Sequence, residues 1–202
     1  MPTQPAMLNS PFHLHQQFLY FSPGSDDLKQ RISYNWATQI NLMEKYIEKK
    51  HKRGRNELEK IQYVYKGSVL LQQIMVVRLI ANMIDEDGRS LFLLEDEDVI
   101  TNGPFIKVLE LADRSLLFEI WVDREKLLDG QDFMSAMASY FELCFVFQLE
   151  YPKQSQTVIN ILQHRAARYG DDKGSLTYMR KDSAMNKLAK YLQIVGDLGI
   201  SH

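Results

Sequence analysis

The chain has 202 residues, 45% of them hydrophobic and 25% charged. That balance excludes wholesale disorder and supports one core of ordinary size, with at most an added helical pair. The net charge of −2 at pH 7 supplies no global basic excess of the kind that draws a chain to nucleic acid or to a membrane.

The charge is unevenly placed. Residues 1–84 hold 11 Lys and Arg against 6 Asp and Glu, net +5; residues 85–150 hold 5 against 16, net −11; residues 151–202 hold 8 against 4, net +4. An acidic middle between basic flanks complements itself or a partner; charges spread over solvated faces is the plainer reading. The single cysteine, Cys144, excludes an internal disulfide, so a reducing, intracellular home in nucleus or cytoplasm is expected. Prolines break the N-terminal stretch, unlike a secretory signal. No window reaches the ~18 apolar residues of a membrane span, so no membrane association is expected.

Residues 1–24 carry Pro2, Pro5, Pro11 and Pro23 and predict an extended arm. Phe12, Leu14, Phe18, Leu19, Tyr20 and Phe21 are too apolar to be left in water, so the arm is expected to pack on its own domain. The alternative is a linear motif that docks elsewhere. A first helix follows, with Ser25 as N-cap and Asp26 and Asp27 in its first turn. Leu28, Ile32, Trp36, Ile40, Met43 and Ile47 form its apolar stripe, and Gly54 is expected to end it.

A second helix is predicted from Asn56, with Glu59 completing a capping-box-like pair. Leu58, Ile61, Tyr65, Val69, Gln72, Val76, Ile80 and Met83 trace its face, and the run Asp85-Glu86-Asp87-Gly88 stops it. Next, SLFLLEDEDV holds a short strand. Residues 104–111 and 115–123 have strand length, and the second alternates Leu116, Phe118, Ile120 and Val122 against Leu117, Glu119, Trp121 and Asp123, which predicts a hairpin. A helix over 104–122 is the alternative.

Helices return with residues 133–149, capped by Asp132. Pro152 is placed in the first turn of the next helix, where Val158, Leu162, Ala166 and Tyr169 align. Gly170-Asp171-Asp172-Lys173-Gly174 is a turn, and Asp182 or Ser183 caps a last helix. The predicted fold is therefore α+β and predominantly α-helical: an N-terminal helical pair, a central β-hairpin and a C-terminal helical bundle. The predicted organisation is an arm 1–24, a helical hairpin 25–88, and an α+β helical domain 89–202 that forms one compact unit with 25–88.

Phe118 to Val122, Asp132-Phe133, Ala136, Phe141, Leu149-Glu150-Tyr151-Pro152-Lys153 and Gln163 carry a resemblance. Residues 104–170 resemble a helical segment with an L-x-Y-P-K phrase that recurs in uncharacterised animal proteins. Some of these are mobile-element-like, and the segment is also similar to the C-terminal region of some sterile-alpha-motif proteins. The resemblance implies a mobile-element origin or a lineage-specific expansion and brings no activity or site residues with it.

Chemical motifs are scarce. The histidines are His13, His15, His51, His164 and His202. His13 and His15, alternating in an extended arm, place two imidazoles on one side but lack further ligands, so no metal is expected. The acidic runs fail as EF-hand loops, because Gly88 and Asp96 fall at positions four and twelve when Asp85 is one, where glycine at six and Glu at twelve are needed. No phosphate-cradling glycine loop and no nucleophile elbow is present. Cys144 lies mid-helix among apolar residues, where desolvation disfavours the thiolate. Glu142 is the odd residue of that run: an exposed helical seam is the plain reading, a buried acid with a raised pKa the sharper one. No catalytic, cofactor-binding or metal-binding residue is therefore assigned.

Two charged surfaces stand out. Lys49, Lys50, Lys52, Arg53 and Arg55 form a candidate nucleic-acid or nuclear-import patch, or simply complement a helix C-terminus. Arg165, Arg168, Lys173, Arg180, Lys181, Lys187 and Lys190 form a second basic region. Glu95, Asp96, Glu97 and Asp98 form a candidate acidic partner surface. The expected function is a non-catalytic protein–protein interaction or scaffolding module, with a protein partner or self-association and no small-molecule substrate. The alternative is a nucleic-acid-binding accessory protein that uses residues 49–55.

Overall fold

The computed structural model describes residues 11–21, 27–50 and 52–167. The Ser25 cap, the turn at 170–174, the last helix and the basic residues from Arg168 onward lie outside them. The fold is α+β and mostly helical: among the described residues there are six α-helices and a four-stranded sheet. The chain divides into two compact units. One takes the described residues of Met1–Ser33 together with Arg89–Gln154; the other takes Tyr34–Gly88 together with the described residues of Ser155–His202.

In the first unit, α1 spans Pro11–Phe21. This corrects the extended arm. Pro11 occupies the first helical position, where its missing N–H and fixed φ suit a helix start, so proline content misleads here. Leu14 and Phe18, one turn apart, are 2% and 0% exposed, and each contributes about 2 kcal/mol by leaving water. They pack on α5, Phe133–Val146, where the Phe18 and Phe145 rings meet edge to face with centroids 5.4 Å apart. The described part of the arm, residues 11–21, thus packs on its own domain, while Phe12 and Tyr20 remain exposed.

The sheet holds β1 Phe92–Leu94, β2 Phe105–Glu110, β3 Leu116–Val122 and β4 Glu125–Gln131 in the order β1-β2-β3-β4. β1 runs parallel to β2, and the other pairs are antiparallel. The β2–β3 hairpin is as its alternation predicts, with Ile106 opposite Ile120 and Val108 opposite Phe118, all buried. Phe118 and Phe92 both meet Phe133 of α5, at 5.3 and 6.0 Å between centroids. Helix α5 therefore has α1 on one side and the sheet on the other, which explains a run apolar on nearly every face.

β4 has no counterpart in the sequence reading. It is joined to β3 by Asp123 and Arg124, both at positive φ (51° and 65°), the backbone of a two-residue type I′ turn. A register shift follows between Phe118 and Ile120, and Gly130 takes φ +64° there, the left-handed conformation a bulge demands. Helix α5 ends at Val146, three residues before the predicted end, with Gln148 at φ 52°. Pro152 does not open a helix. It lies buried in the following turn, so close to Gly103 that a Cβ there would meet its Cγ at 3.2 Å.

Helix α2, Leu28–Lys50, supplies Leu28 and Ile32 to the first unit and Trp36, Ile40, Met43 and Ile47 to the second; all six are at most 2% exposed. Asp27 starts it, its carboxylate accepting from the Gln30 N–H at 2.7 Å. In the second unit α3 spans Lys52–Val64, so Gly54 is buried inside a helix and does not end one. The predicted second helix breaks at Tyr65-Lys66-Gly67, and Ser68 caps a separate α4, Val69–Met83. Val69, assigned to the apolar face, is 68% exposed.

Helix α4 buries Leu71, Ile74, Val76, Val77 and Ile80, so the predicted Val76 and Ile80 do face inward. The Trp36 indole N–H donates to Gln73 Oε1 at 2.8 Å, and Asn35 Nδ2 donates to the Ala166 carbonyl at 3.2 Å. Helix α6 is Gln156–Leu162, followed by a π-helical turn Gln163–Ala167. Val158, Leu162 and Ala166 are fully buried along it, as their spacing predicts.

Candidate functional site

The polar feature that stands out in the first unit lies where α1 meets α5. His15 follows Leu14 on α1, and Glu142 lies on α5 within the run FELC. His15 Nδ1 and Glu142 Oε1 are 2.6 Å apart, with side-chain exposures of 40% and 4%. Glu142 is thus not on an exposed seam: the sharper reading is the one that holds. Burial pushes its carboxyl above the usual 4.5, and the imidazole partly offsets that shift.

The pair opens onto a cavity of about 420 Å³. Pro11 and His15 line it from α1, and Asp27 and Lys29 from the start of α2. Ser135, Ala138 and Ser139 join Glu142 from α5. Ser135, Ala138, Ser139 and Glu142 recur at helical spacings of three, one and three, which sets them on one side of the helix.

Lys29 is tied at this cavity. Its Nζ donates to Asp132 Oδ2 at 3.0 Å and to Ser135 Oγ at 2.7 Å. Asp132 is also the predicted N-cap of α5, accepting from the Ser135 N–H at 3.0 Å. Burial alone would raise the Asp132 carboxyl, but the Ser135 hydroxyl and N–H and the Lys29 ammonium outweigh it and lower it to about 2.

His13 and His15 do not share a side, because two residues on a helix turn through about 200°. The His13 ring instead meets Phe12 edge to face. Among the described residues no three His, Cys, Asp or Glu side chains gather as a metal site. Cys144 is 4% exposed, and burial pushes its thiol well above the usual range despite a hydrogen bond with Tyr140.

The acidic run divides by role. Glu97 Oε2 accepts from the Leu94 N–H at 2.9 Å and closes the turn after β1, while Glu95, Asp96 and Asp98 are exposed. Glu86 of the other acidic run caps α6 from 71 positions away: its Oε1 accepts from Thr157 N–H at 2.7 Å and its Oε2 from Val158 N–H at 3.0 Å. At the α2–α3 junction Lys49, Lys52, Arg53 and Arg55 are exposed, and Arg55 Nη2 donates to the Glu48 carbonyl, an end carbonyl of α2, at 2.8 Å. The Lys50 side chain lies outside the described residues.

Sequence reasoning flagged Glu142 but missed its partner and the cavity. The signal was present in Leu14, His15 and Phe18, which follow one helical face and its edge. No helix among the described residues is long and apolar enough to cross a membrane. Comparison with family models, curated proteins and solved structures finds no match to this chain.

Proposed function

We propose that this chain is a non-catalytic protein–protein interaction module whose working surface is its acidic unit. One observation carries the reading: the charge segregation follows the division into units. Residues 1–33 and 89–154 hold 8 Lys and Arg against 15 Asp and Glu, net −7, whereas residues 34–88 and 155–202 hold 16 against 11, net +5. A surface of one sign recruits an oppositely charged partner, speeds encounter and weakens with salt. Exposed Glu95, Asp96 and Asp98 lie on that unit. The partner is accordingly a protein with a basic face.

Affinity capture with quantitative mass spectrometry, using the wild type and an E95K/D96K/D98K variant as baits, tests this. The expected result is a defined set of basic proteins held by the wild type at low salt, reduced several-fold by the variant and by 0.5 M salt. No charge-dependent partner, together with turnover in a metabolite screen, overturns the reading. Light scattering that shows concentration-dependent mass in the wild type alone would make the partner a second copy.

A nucleic-acid-binding accessory role is the second reading, favoured by exposed Lys49, Lys52, Arg53 and Arg55 around one helix junction. It predicts co-purifying nucleic acid, removed by high salt and by reversing Lys49, Lys50, Lys52, Arg53 and Arg55 to Glu.

A further inference from the structure

The cavity at the α1–α5 contact has a chemistry of its own. His15 Nδ1 is engaged with Glu142 at 2.6 Å, so Nε2 is the ring nitrogen left for an occupant. The pair has two relevant protonation states. With the extra proton, Nε2 carries hydrogen and donates. Without it, Nδ1–H is donated to the ionised Glu142 and Nε2 offers a lone pair. In the second state the pair is net negative, within a unit of net −7.

We propose that this cavity, with the His15–Glu142 pair at its wall, seats the ammonium of a lysine side chain on the partner. The proposal rests on the interaction reading above and names what that partner inserts. An ammonium has three donors and no acceptor. Nε2 of His15, Ser139 Oγ and the Asp27 oxygen not engaged by the Gln30 N–H, all from cavity-lining residues, supply three acceptors. Pro11 and Ala138 give the four-carbon stem apolar surface, and about 420 Å³ is ample for one lysine side chain.

The charged groups facing the pair are Asp27 and Lys29 from the start of α2, with Asp132 of the α5 cap behind Lys29. Lys29 is compensated by Asp132, so it does not cancel the attraction of Asp27 and Glu142 for a second cation.

The test titrates the full chain with acetyl-lysine methylamide, its ε-acetylated analogue and the arginine counterpart. The readout is the His15 ring nitrogen resonances at pH 7.5. Saturable binding of the lysine probe, with no binding of the acetylated probe, is expected. In E142Q the affinity falls at least tenfold, while the Phe18 and Phe145 ring resonances show α1 still docked. In S139A affinity falls several-fold.

Equal binding of the acetylated probe or wild-type binding by E142Q overturns the proposal. A silent His15 in a chain that still captures basic proteins through Glu95, Asp96 and Asp98 overturns the lysine seat alone. A responsive His15 in a chain that captures none supports the seat and overturns the protein-partner reading.

Discussion

His15 and Glu142 meet across 127 positions of sequence, and each gives the other a meaning it lacks alone. Buried without a partner, an acid raises its own pKa and is costly once ionised. Replacing His15 by Ala leaves that carboxylate unpaired and destabilises the fold by about 1–3 kcal/mol at neutral pH. The sign follows from the direction of the shift: the native Glu142 binds protons more tightly than the unfolded one, so its contribution weakens as pH rises through its titration. In His15→Ala nothing offsets burial, so the gap to wild type is larger at pH 8 than at pH 4.5. Urea midpoints at the two pH values check this, and an equal gap would show that the imidazole does not compensate the acid. Glu142 was conspicuous in the sequence as an acid among apolar residues. His15 was not, because its segment reads as extended when four prolines are weighed above the Leu14–Phe18 spacing.

Helices with long stripes and well-placed caps were the most legible elements. Leu28 to Ile47 on α2 and Asp132 at α5 are where local preference and tertiary packing agree. The breaks were less so. The apolar period of α3 runs on through Tyr65 and Val69, and hides the stop at Gly67-Ser68, although Gly followed by Ser is a turn-and-cap signal. β4 was missed because its type I′ turn uses Asp123-Arg124 where Asn-Gly or Asp-Gly is the usual sign. Helix α6 shows a limit of a different kind. Its own cap residue Ser155 makes no side-chain cap, and the carboxylate of Glu86 does that work from a distant segment. No local pattern encodes such a contact. Glu86→Ala leaves two first-turn N–H groups without their acceptor and costs about 1 kcal/mol. Hydrogen exchange at Thr157 and Val158 should speed up several-fold, while Phe118 and Ile120 in the sheet keep their protection.

Neither compact unit is a continuous stretch of chain. The path passes from one to the other at 33/34, 88/89 and 154/155. Charge totals and apolar periods are read along the sequence, so they locate elements without showing that 11–21 and 133–146 share a core. A cut at 88/89 is expected to leave both units incomplete. The fragment 89–202 keeps the sheet and α5 but loses α1, exposing the surface that Leu14 and Phe18 cover. It should bind a hydrophobic dye and unfold without a sharp transition, and mixing it with 1–88 should restore cooperativity; a sharp urea transition of 89–202 alone would refute this. The order β1-β2-β3-β4 has one more consequence. The sheet is open, and its two outer strands are poor templates for strand addition: β1 has three residues, and β4 is irregularly paired and bears Glu125, Lys126 and Asp129. Short, bulged and charged edges resist fibril-type growth. The described sheet thus offers amyloid-like stacking no long, regular backbone edge, and on it contact between copies is left to side chains.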